Sequence, residues 1–292
     1  MDAAIARAVL EDAAADYGRV PPATTAARAR TRLADLMTTL RGTLPLDERR
    51  ELLRVAVDTA ILGGYGEFTA GRQAQAADLF GHATVIARQS AEPELQARAA
   101  GAASTIVGPH GTSQPAAALR LLDHALALSE RGLIRTWLHM RQAESLAALG
   151  RTDEALAAVD RAWTFYGHGD HGGLFTRTGL LSNWTPEFLD GMAGRCYSFL
   201  GYPTDAEVEL GIALRSTDAS NQRTRAMWLA DLAQSRAGAG QVDGAVDAAT
   251  ESLRESRAAG YGLGETRIRQ LARTLPDTPE AARLDRLLAT HP

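Results

Sequence analysis

The sequence predicts an all-α protein built from repeated helical hairpins, and three observations lead to that prediction. Of the 292 residues, 56 are Ala, the residue with the highest helix propensity. Aromatic residues make up 5% of the chain, and the β-branched residues that favour strands are sparse. The third observation is a spacing of Gly and apolar residues that recurs about every 40 residues, the period of helical-repeat proteins.

The repeat is defined by a Gly that is followed by small or bulky apolar residues at offsets of 5, 9 and 12 positions. Gly71, Gly150, Gly201 and Gly240 each begin one copy, and a fifth copy has Ser113 in place of the Gly. Gly tolerates the positive φ that ends a helix. Apolar residues seven positions apart lie on one helix face, where an antiparallel partner packs. The pattern therefore predicts about five helix pairs.

Each helix is placed between these turns and the Pro residues that interrupt the chain. Pro21 and Pro22 separate the first two helices, because Pro interrupts a helix except in its first turn. Residues 167–185, which are rich in Gly and polar residues, are predicted to form a long loop. The predicted helices, in order, are 2–16, 22–42, 47–70, 73–89, 92–108, 114–130, 133–149, 152–166, 186–200, 203–216, 221–239, 241–259, 263–273 and 278–290.

The predicted architecture is a right-handed superhelical solenoid of antiparallel helix pairs, similar to tetratricopeptide repeats. Residues 1–45 are expected to form N-terminal linking or capping helices, and residues 46–260 the solenoid with its loop at 167–185. Residues 261–292 are expected to form C-terminal capping helices. A stack of about three or more such repeats is stable, so five suffice.

Composition excludes several classes of function. The chain has no Lys, so Schiff-base chemistry and a P-loop Lys are absent, and its single Cys, Cys196, rules out an internal disulfide or a Cys-rich zinc site. A formal charge of −4 and a sequence pI near 6.0 do not fit a nucleic-acid-binding domain. No apolar stretch is long enough to span a membrane, and no GxSxG, HExxH, GxGxxG or CxxC motif indicates a metal or cofactor. A cytoplasmic location and no cofactor are therefore expected.

Two pairs of segments resemble a known family. Residues 20–40 and 44–64 resemble the region that follows the helix-turn-helix domain in actinobacterial transcriptional regulators of the XRE type. Residues 187–214 and 225–253 resemble the later repeats of those proteins. The resemblance implies a C-terminal tetratricopeptide-repeat domain that binds a ligand, peptide or partner. Residues 1–20 are too few for the DNA-binding domain of that family, and the Gly/His-rich segment 167–173 has no counterpart in it.

The first helix of each pair is expected to line a concave groove, the usual binding surface of such a solenoid. Groove positions are predicted three, six, ten and thirteen residues before each turn, which also places Asp58 and Ser198 there and brings Arg141 close. The predicted ligand-binding residues are Tyr65, Phe68, His110, Trp137, Met140, Glu144, Phe188, Arg195, Met227, Asp231 and Gln234.

Two interpretations of these groove residues stay open. In the first, aromatic and Met side chains contact a ligand while Glu144, Arg195 and Asp231 orient its polar groups. In the second, the large apolar residues are core between repeats, and Arg195 pairs with Glu144 or Asp231.

The loop contains His168, Asp170 and His171, which could act as general acid and base groups or, with His110, His139 or Glu144, hold a metal ion. A solvated loop or a lid over the groove is the alternative. The primary functional hypothesis is a non-enzymatic sensor or adaptor that binds a small molecule, a peptide or a protein partner, without direct contact to nucleic acid. The alternative hypothesis is an enzyme of secondary metabolism with the groove as active site and His168 and His171 as catalytic residues. A homodimer through Ala-rich edges is also left open.

Overall fold

The computed structural model describes residues 2–130, 132–167 and 184–289, and every regular element in these ranges is an α-helix. All fourteen predicted helices are present in these ranges, with ends within two residues of those predicted. None of the described helices combines the length and apolarity that a membrane span requires. The helices are α1 (Ala3–Ala15), α2 (Pro22–Leu40), α3 (Leu46–Thr69), α4 (Gln73–Ser90), α5 (Pro93–Val107), α6 (Pro115–Leu128), α7 (Gly132–Ala148), α8 (Thr152–Gly167), α9 (Pro186–Leu200), α10 (Pro203–Ser216), α11 (Gln222–Gly238), α12 (Val242–Ala259), α13 (Gly262–Ala272) and α14 (Pro279–Ala289).

The chain forms two compact units. Unit 1 consists of Met1–Phe68 and Arg72–Asn183, and unit 2 consists of Thr69–Gly71 and Trp184–Pro292. In unit 1 each helix from α4 to α7 packs against the next one in sequence, and α7 also touches α5. In unit 2 each helix from α9 to α13 packs against the next one, and α11 also touches α9 and α13. The all-α architecture of helix pairs is therefore confirmed, whereas the domain boundaries at residues 45 and 260 stay a prediction.

The turns between paired helices are positioned where the sequence predicts them. Gly150 and Gly240 have φ of 69° and 75°, and the equivalent Gly71 and Gly201 are also left-handed. Ser113, the residue at the degenerate copy, has φ of 55°, which is uncommon for a residue with a side chain. Ser113 therefore occupies a conformation that normally selects Gly, and the fifth copy is a true repeat despite the substitution.

Each regular turn is closed by the hydrogen bond that characterises a Schellman motif. The amide of the residue after the turn Gly donates to the carbonyl five residues earlier, as Arg151 does to Leu146 at 3.0 Å and Gln241 does to Arg236 at 2.9 Å. These bonds satisfy carbonyls that the end of a helix would otherwise leave without a donor. Local chemistry alone therefore fixes where one helix stops and the next begins.

The second helix of each pair buries one stripe, and the stripe is the predicted one. In α4, Ala76, Phe80 and Ala83 are at most 1% exposed. Burial of a Phe side chain contributes on the order of 2–3 kcal/mol, and the flanking Ala residues let the two helices approach closely. The same offsets give the buried sets Ala118, Leu122 and Ala125; Ala155, Val159 and Ala162; Ala206, Leu210 and Ala213; and Ala245, Ala249 and Ser252.

The first helix of each pair is buried on most of its circumference. Every residue from 55 to 64 in α3 is buried, and a Cβ added at Gly63 would lie 2.9 Å from Ala29 of α2 and 3.2 Å from Leu79 of α4. Polar side chains on these first helices are consequently held inside the unit rather than in solvent. Because these polar side chains are buried, their ion pairs and pKa values depend on the helices that surround them.

Candidate functional site

The residues predicted to line a groove divide between the two units. Unit 1 contains Tyr65, Phe68, His110, Trp137, Met140 and Glu144. Unit 2 contains Phe188, Arg195, Met227, Asp231 and Gln234.

Three of the unit 1 residues are packed as core. Phe68, Trp137 and Met140 are 5%, 4% and 0% exposed. The indole ring of Trp137 lies against the backbone of Gly101, where an added Cβ would stand 2.6 Å from the ring. Such burial favours the interpretation that these side chains hold neighbouring repeats together.

Polar groups from three successive first helices form what we call the Tyr65 cluster: Tyr65 of α3, Thr105 of α5, and Arg141 and Glu144 of α7. The hydroxyls of Tyr65 and Thr105 are 3.2 Å apart. Arg141 forms an ion pair with Glu144, which is fully buried. Burial raises the pKa of Tyr65, while the positive charge of Arg141 acts in the opposite direction. The phenol therefore stays protonated and can donate a hydrogen bond.

A second buried ion pair in unit 1 joins α3 to α5. Asp58 is 1% exposed, and its Oδ1 lies 3.3 Å from Nη2 of Arg98. Neither carboxylate oxygen accepts a hydrogen bond from the residues that the structure describes. Burial raises the pKa of Asp58 from 3.8 to about 6, against the lowering effect of Arg98.

The two described His residues that bear on the predicted site have different environments. His110 is half-buried in the turn between α5 and α6. His139 of α7 is 4% exposed, stacks on Phe165 at 5.4 Å, and has its Nδ1 3.2 Å from the side-chain oxygen of Gln142. Burial lowers the pKa of His139 to about 4. His139 is therefore neutral near pH 7 and belongs to the core.

The most highly charged group in unit 2 surrounds one carboxylate. Nε and Nη2 of Arg195, on α9, lie 2.9 and 2.8 Å from Oδ2 of Asp231 on α11. Arg267 of α13 donates from Nη2 to the other oxygen, Oδ1. The three side chains are between 2% and 8% exposed. With Tyr261 and Arg223, which are also buried, we call this group the Asp231 cluster.

Aromatic rings adjoin the Asp231 cluster. The guanidinium of Arg195 lies 5.4 Å from the ring centre of Trp228, a distance at which a cation and an aromatic face attract. Phe188 packs against the same ring at 5.1 Å and against Trp184 at 5.3 Å. Arg195 pairs with Asp231, one of the two partners that the second interpretation offered.

Two further predicted residues of unit 2 reach solvent. Met227 of α11 is half-buried, and Gln234, two turns later in the same helix, is exposed. They occupy the solvent side of the helix that carries Asp231, where a ligand can reach them.

The residues that sequence reasoning missed have a simple signal. Arg195, Asp231 and Arg267 are spaced by 36 residues, one repeat, and Tyr65 and Thr105 by 40. Equivalent positions of successive repeats lie side by side, so polar residues one period apart on first helices are candidates for contact. The spacing of one repeat identifies Arg98, Thr105 and Arg267 as candidates, whereas counting back from each turn Gly does not identify them.

His168, Asp170 and His171 lie outside the described residues, as does most of the loop predicted at 167–185. The enzyme hypothesis that names His168 and His171 as catalytic stays a prediction. Within the described part of the chain, no group of three His, Cys, Asp or Glu side chains is placed to hold a metal ion. Cys196 is buried.

Comparison with known proteins gives a fold and no family. No protein-family model matches the chain. No curated protein matches it either. Thirteen chains of known structure do match, among them a Rap protein in complex with competence and sporulation factor. That structure aligns with a TM-score of 0.58 and 15% sequence identity, over 97% of this chain and 86% of the other. The likeness identifies the fold as a helical repeat of the tetratricopeptide type.

Proposed function

We propose that this chain is a non-enzymatic helical-repeat protein that binds a peptide, a small molecule or a protein partner through its first helices. One observation carries the proposal: polar side chains occupy equivalent positions of successive first helices, as in Arg195, Asp231 and Arg267. Helix packing alone is satisfied by apolar residues, and burying charge is costly. Convergent polar groups beside aromatic surface are typical of a ligand site.

The structural neighbour supports the same class of function. The Rap protein was crystallised with competence and sporulation factor bound. By analogy with that complex, the bound species here is itself a ligand or partner rather than a reaction substrate.

We further propose that the protein acts as a sensor or adaptor related to the C-terminal repeat domains of XRE-type regulators. The support is the sequence resemblance at 20–64 and 187–253, which spans α2, α3 and α9 to α12. Size-exclusion chromatography of the protein with a helix-turn-helix protein, with and without the ligand, tests this relationship by measuring whether the two associate. A cytoplasmic location and a homodimer stay predictions from sequence.

The binding function is tested by recovering the ligand. Compounds and peptides released from the purified protein by denaturation are identified by mass spectrometry, and their rebinding is measured by calorimetry and thermal shift. A ligand that binds the folded state must raise the melting temperature. Tyr65→Phe, which removes one hydroxyl and keeps the ring, is compared with Arg151→Gln, a change at an exposed ion pair in the same unit.

We expect Tyr65→Phe to weaken rebinding about tenfold, the value of one hydrogen bond to a buried group, and Arg151→Gln to leave it unchanged. Equal affinity in wild type, Tyr65→Phe and variants of the Asp231 cluster would overturn the proposal, as would the absence of any stabilising compound.

A further inference from the structure

Unit 2 contains a cleft of about 540 Å³ where α10 and α12 both pack against α11. The α11 residues that line it are Arg225, Leu229, Leu232 and Arg236. They recur every three or four positions, so they form one stripe, on the side of the helix opposite Met227 and Gln234. The cleft is therefore separate from the predicted groove positions of the same helix.

The floor of the cleft is apolar. Leu229 and Leu232 are 5% and 8% exposed, and Ala248 of α12 is 4% exposed. Leu214 of α10, which is half-buried, continues this surface. Small-molecule sites have volumes of roughly 300–1,000 Å³ and are lined mainly by apolar side chains, so the cleft has the size and the lining of such a site.

The equivalent surface of unit 1 is covered by side chains from both flanking helices. Counted back from Gly150, the two positions of α7 that correspond to the leucines of the floor are His139 and Gln142. Gln142 donates a hydrogen bond of 2.8 Å to Asp123 of α6. His139 stacks on Phe165 of α8, with 5.4 Å between the ring centres. These contacts cover α7 from both sides.

Unit 2 has different residues at both of these bridging positions. Gly211 of α10 corresponds to Asp123 and has no side chain. Glu255 of α12 corresponds to Phe165, and it forms an ion pair of 3.7 Å with Arg225. The cleft therefore exists because of particular residues of this repeat and not because helix pairs leave a gap when they stack.

The missing side chain at Gly211 leaves space for a cation. A Cβ added at Gly211 would be 3.2 Å from Nη1 of Arg215, so the guanidinium of Arg215 lies over Gly211 at the wall of the cleft. Arg215 is exposed, and none of the described Asp and Glu side chains forms an ion pair with it. Arg215 thus presents a positive charge beside an apolar floor.

The other charges that line the cleft have partners within the described part of unit 2: Arg225 with Glu251, Arg236 with Glu207, and Asp247 with Arg283. Arg215 is the lining charge that stays available for a ligand. A guanidinium offers a carboxylate two parallel hydrogen bonds, which makes a carboxylate the complementary group.

We propose that this cleft binds a small molecule with an apolar body and one carboxylate, with the body on Leu229 and Leu232 and the carboxylate on Arg215. The proposal goes beyond the binding function proposed for the first helices, because the cleft lies between second helices and on the other side of α11. The two sites can therefore be tested separately.

The test measures binding by calorimetry near neutral pH. Octanoate and phenylpropanoate are the carboxylate probes, and octanol and octylamine keep the apolar body with a neutral or a positive head group. Arg215→Gln is the test variant. Arg286→Gln is the matched control, because Arg286 of α14 is also exposed and forms no ion pair with the described residues.

Gly211→Asp is a second variant, which places a carboxylate beside Arg215 at the position that Asp123 has in unit 1. The nearest atom to the added side chain is the end of a flexible Arg, so the fold should accept it. Circular dichroism verifies that every variant is folded.

We expect at least one of the two carboxylates to bind the wild type and Arg286→Gln equally, and octanol and octylamine to bind several-fold more weakly. Arg215→Gln should weaken carboxylate binding about tenfold, the value of a hydrogen bond between charged groups. Gly211→Asp should weaken it at least as much, because the new carboxylate pairs with Arg215 and repels the ligand.

Equal carboxylate affinity in the wild type, Arg215→Gln and Gly211→Asp would overturn the inference. Octanol binding as tightly as octanoate would overturn it too, as would the absence of binding by both carboxylates. If Gly211→Asp does not fold, Arg215→Gln decides alone, because it alters an exposed side chain. Each of these results leaves the binding function of the first helices to its own test with Tyr65→Phe.

Discussion

The two units use buried charge on their first helices in different ways. In unit 1, Asp58 lies 3.3 Å from Arg98 and Glu144 pairs with Arg141, while Glu67 bridges Arg30 and Arg72, whose side chains are 45% and 38% exposed. In unit 2 one acid, Asp231, bridges Arg195 and Arg267 through both of its oxygens. The comparison teaches that a buried acid on a first helix can bridge two Arg side chains at the surface, as Glu67 does, or with every member of the bridge buried, as Asp231 does.

The largest predicted effect comes from removing the shared acid. Asp231→Asn leaves two buried guanidiniums without their bridging negative charge, and breaking a buried ion pair in this way costs about 3–5 kcal/mol. Asp58→Asn should not destabilise the protein at pH 7, because burial already disfavours the Asp58 carboxylate and none of the described residues donates a hydrogen bond to it. Chemical denaturation of both variants measures the difference, and equal losses would show that the two clusters are energetically alike.

The next prediction concerns pH and is specific to unit 1. The raised pKa of Asp58 means that the folded state binds the proton more tightly than the unfolded state between about pH 4 and 6, so this group lowers stability as pH rises through that window. The lowered pKa of His139 means that the unfolded state binds the proton more tightly between about pH 4 and 6.5, so this group raises stability over nearly the same window. The two dependences oppose each other in the wild type.

Each substitution should therefore expose the dependence of the other residue. In Asp58→Asn only the His139 dependence remains, so the free energy of unfolding should rise more steeply from pH 4 to 6.5. In His139→Gln only the Asp58 dependence remains, so the free energy of unfolding should fall over that range, by on the order of 2–3 kcal/mol. Denaturation midpoints measured at half-unit pH steps check both signs. An unchanged profile in Asp58→Asn would contradict the role given to burial, and Asp205→Asn in unit 2 serves as a surface control.

A smaller effect is expected where aromatic rings cover glycines, one in each unit. An added Cβ would lie 2.6 Å from Trp137 at Gly101 and 2.8 Å from Trp228 at Gly191. Gly101→Ala and Gly191→Ala should each cost about 1–3 kcal/mol, the usual range for overpacking a core. At Gly238 of α11 an added Cβ meets nothing within 4 Å, so Gly238→Ala should stabilise by about 0.5–1 kcal/mol through helix propensity. If Gly238→Ala destabilises the protein, helix propensity does not determine the effect of an added Cβ at this position.

The smallest effect compares an irregular turn in unit 1 with a regular one in unit 2. Ser113 and Gly240 have φ of 55° and 75°, and the left-handed conformation costs a residue with a side chain roughly 1 kcal/mol. Ser113→Gly should therefore stabilise the protein by about that amount and Gly240→Ser should destabilise it similarly. If both substitutions change the free energy of unfolding in the same direction, the two turns are not equivalent.

Sequence reasoning succeeded where the determinants are local. The offsets of 5, 9 and 12 residues after Gly150 identified Ala155, Val159 and Ala162 as a buried stripe, and these residues are at most 5% exposed. The same reasoning identified Arg195 and Asp231 as candidates but not Arg267, which completes their cluster. It left open whether Trp137 and Met140 contact a ligand or form core between repeats; both are at most 4% exposed, because helices distant in sequence pack over them.

The sequence by itself determined the all-α class, the helix boundaries and the turns, because capping, positive φ and apolar spacing act within a few residues of each other. The tertiary structure decided which charges meet, since the partners of Asp231 are 36 residues away in both directions. It also decided that Asp58 is buried with a raised pKa, a property of the helices that surround it and not of its neighbours in the chain. Side chains from separate helices acquire their environment only after those helices have packed.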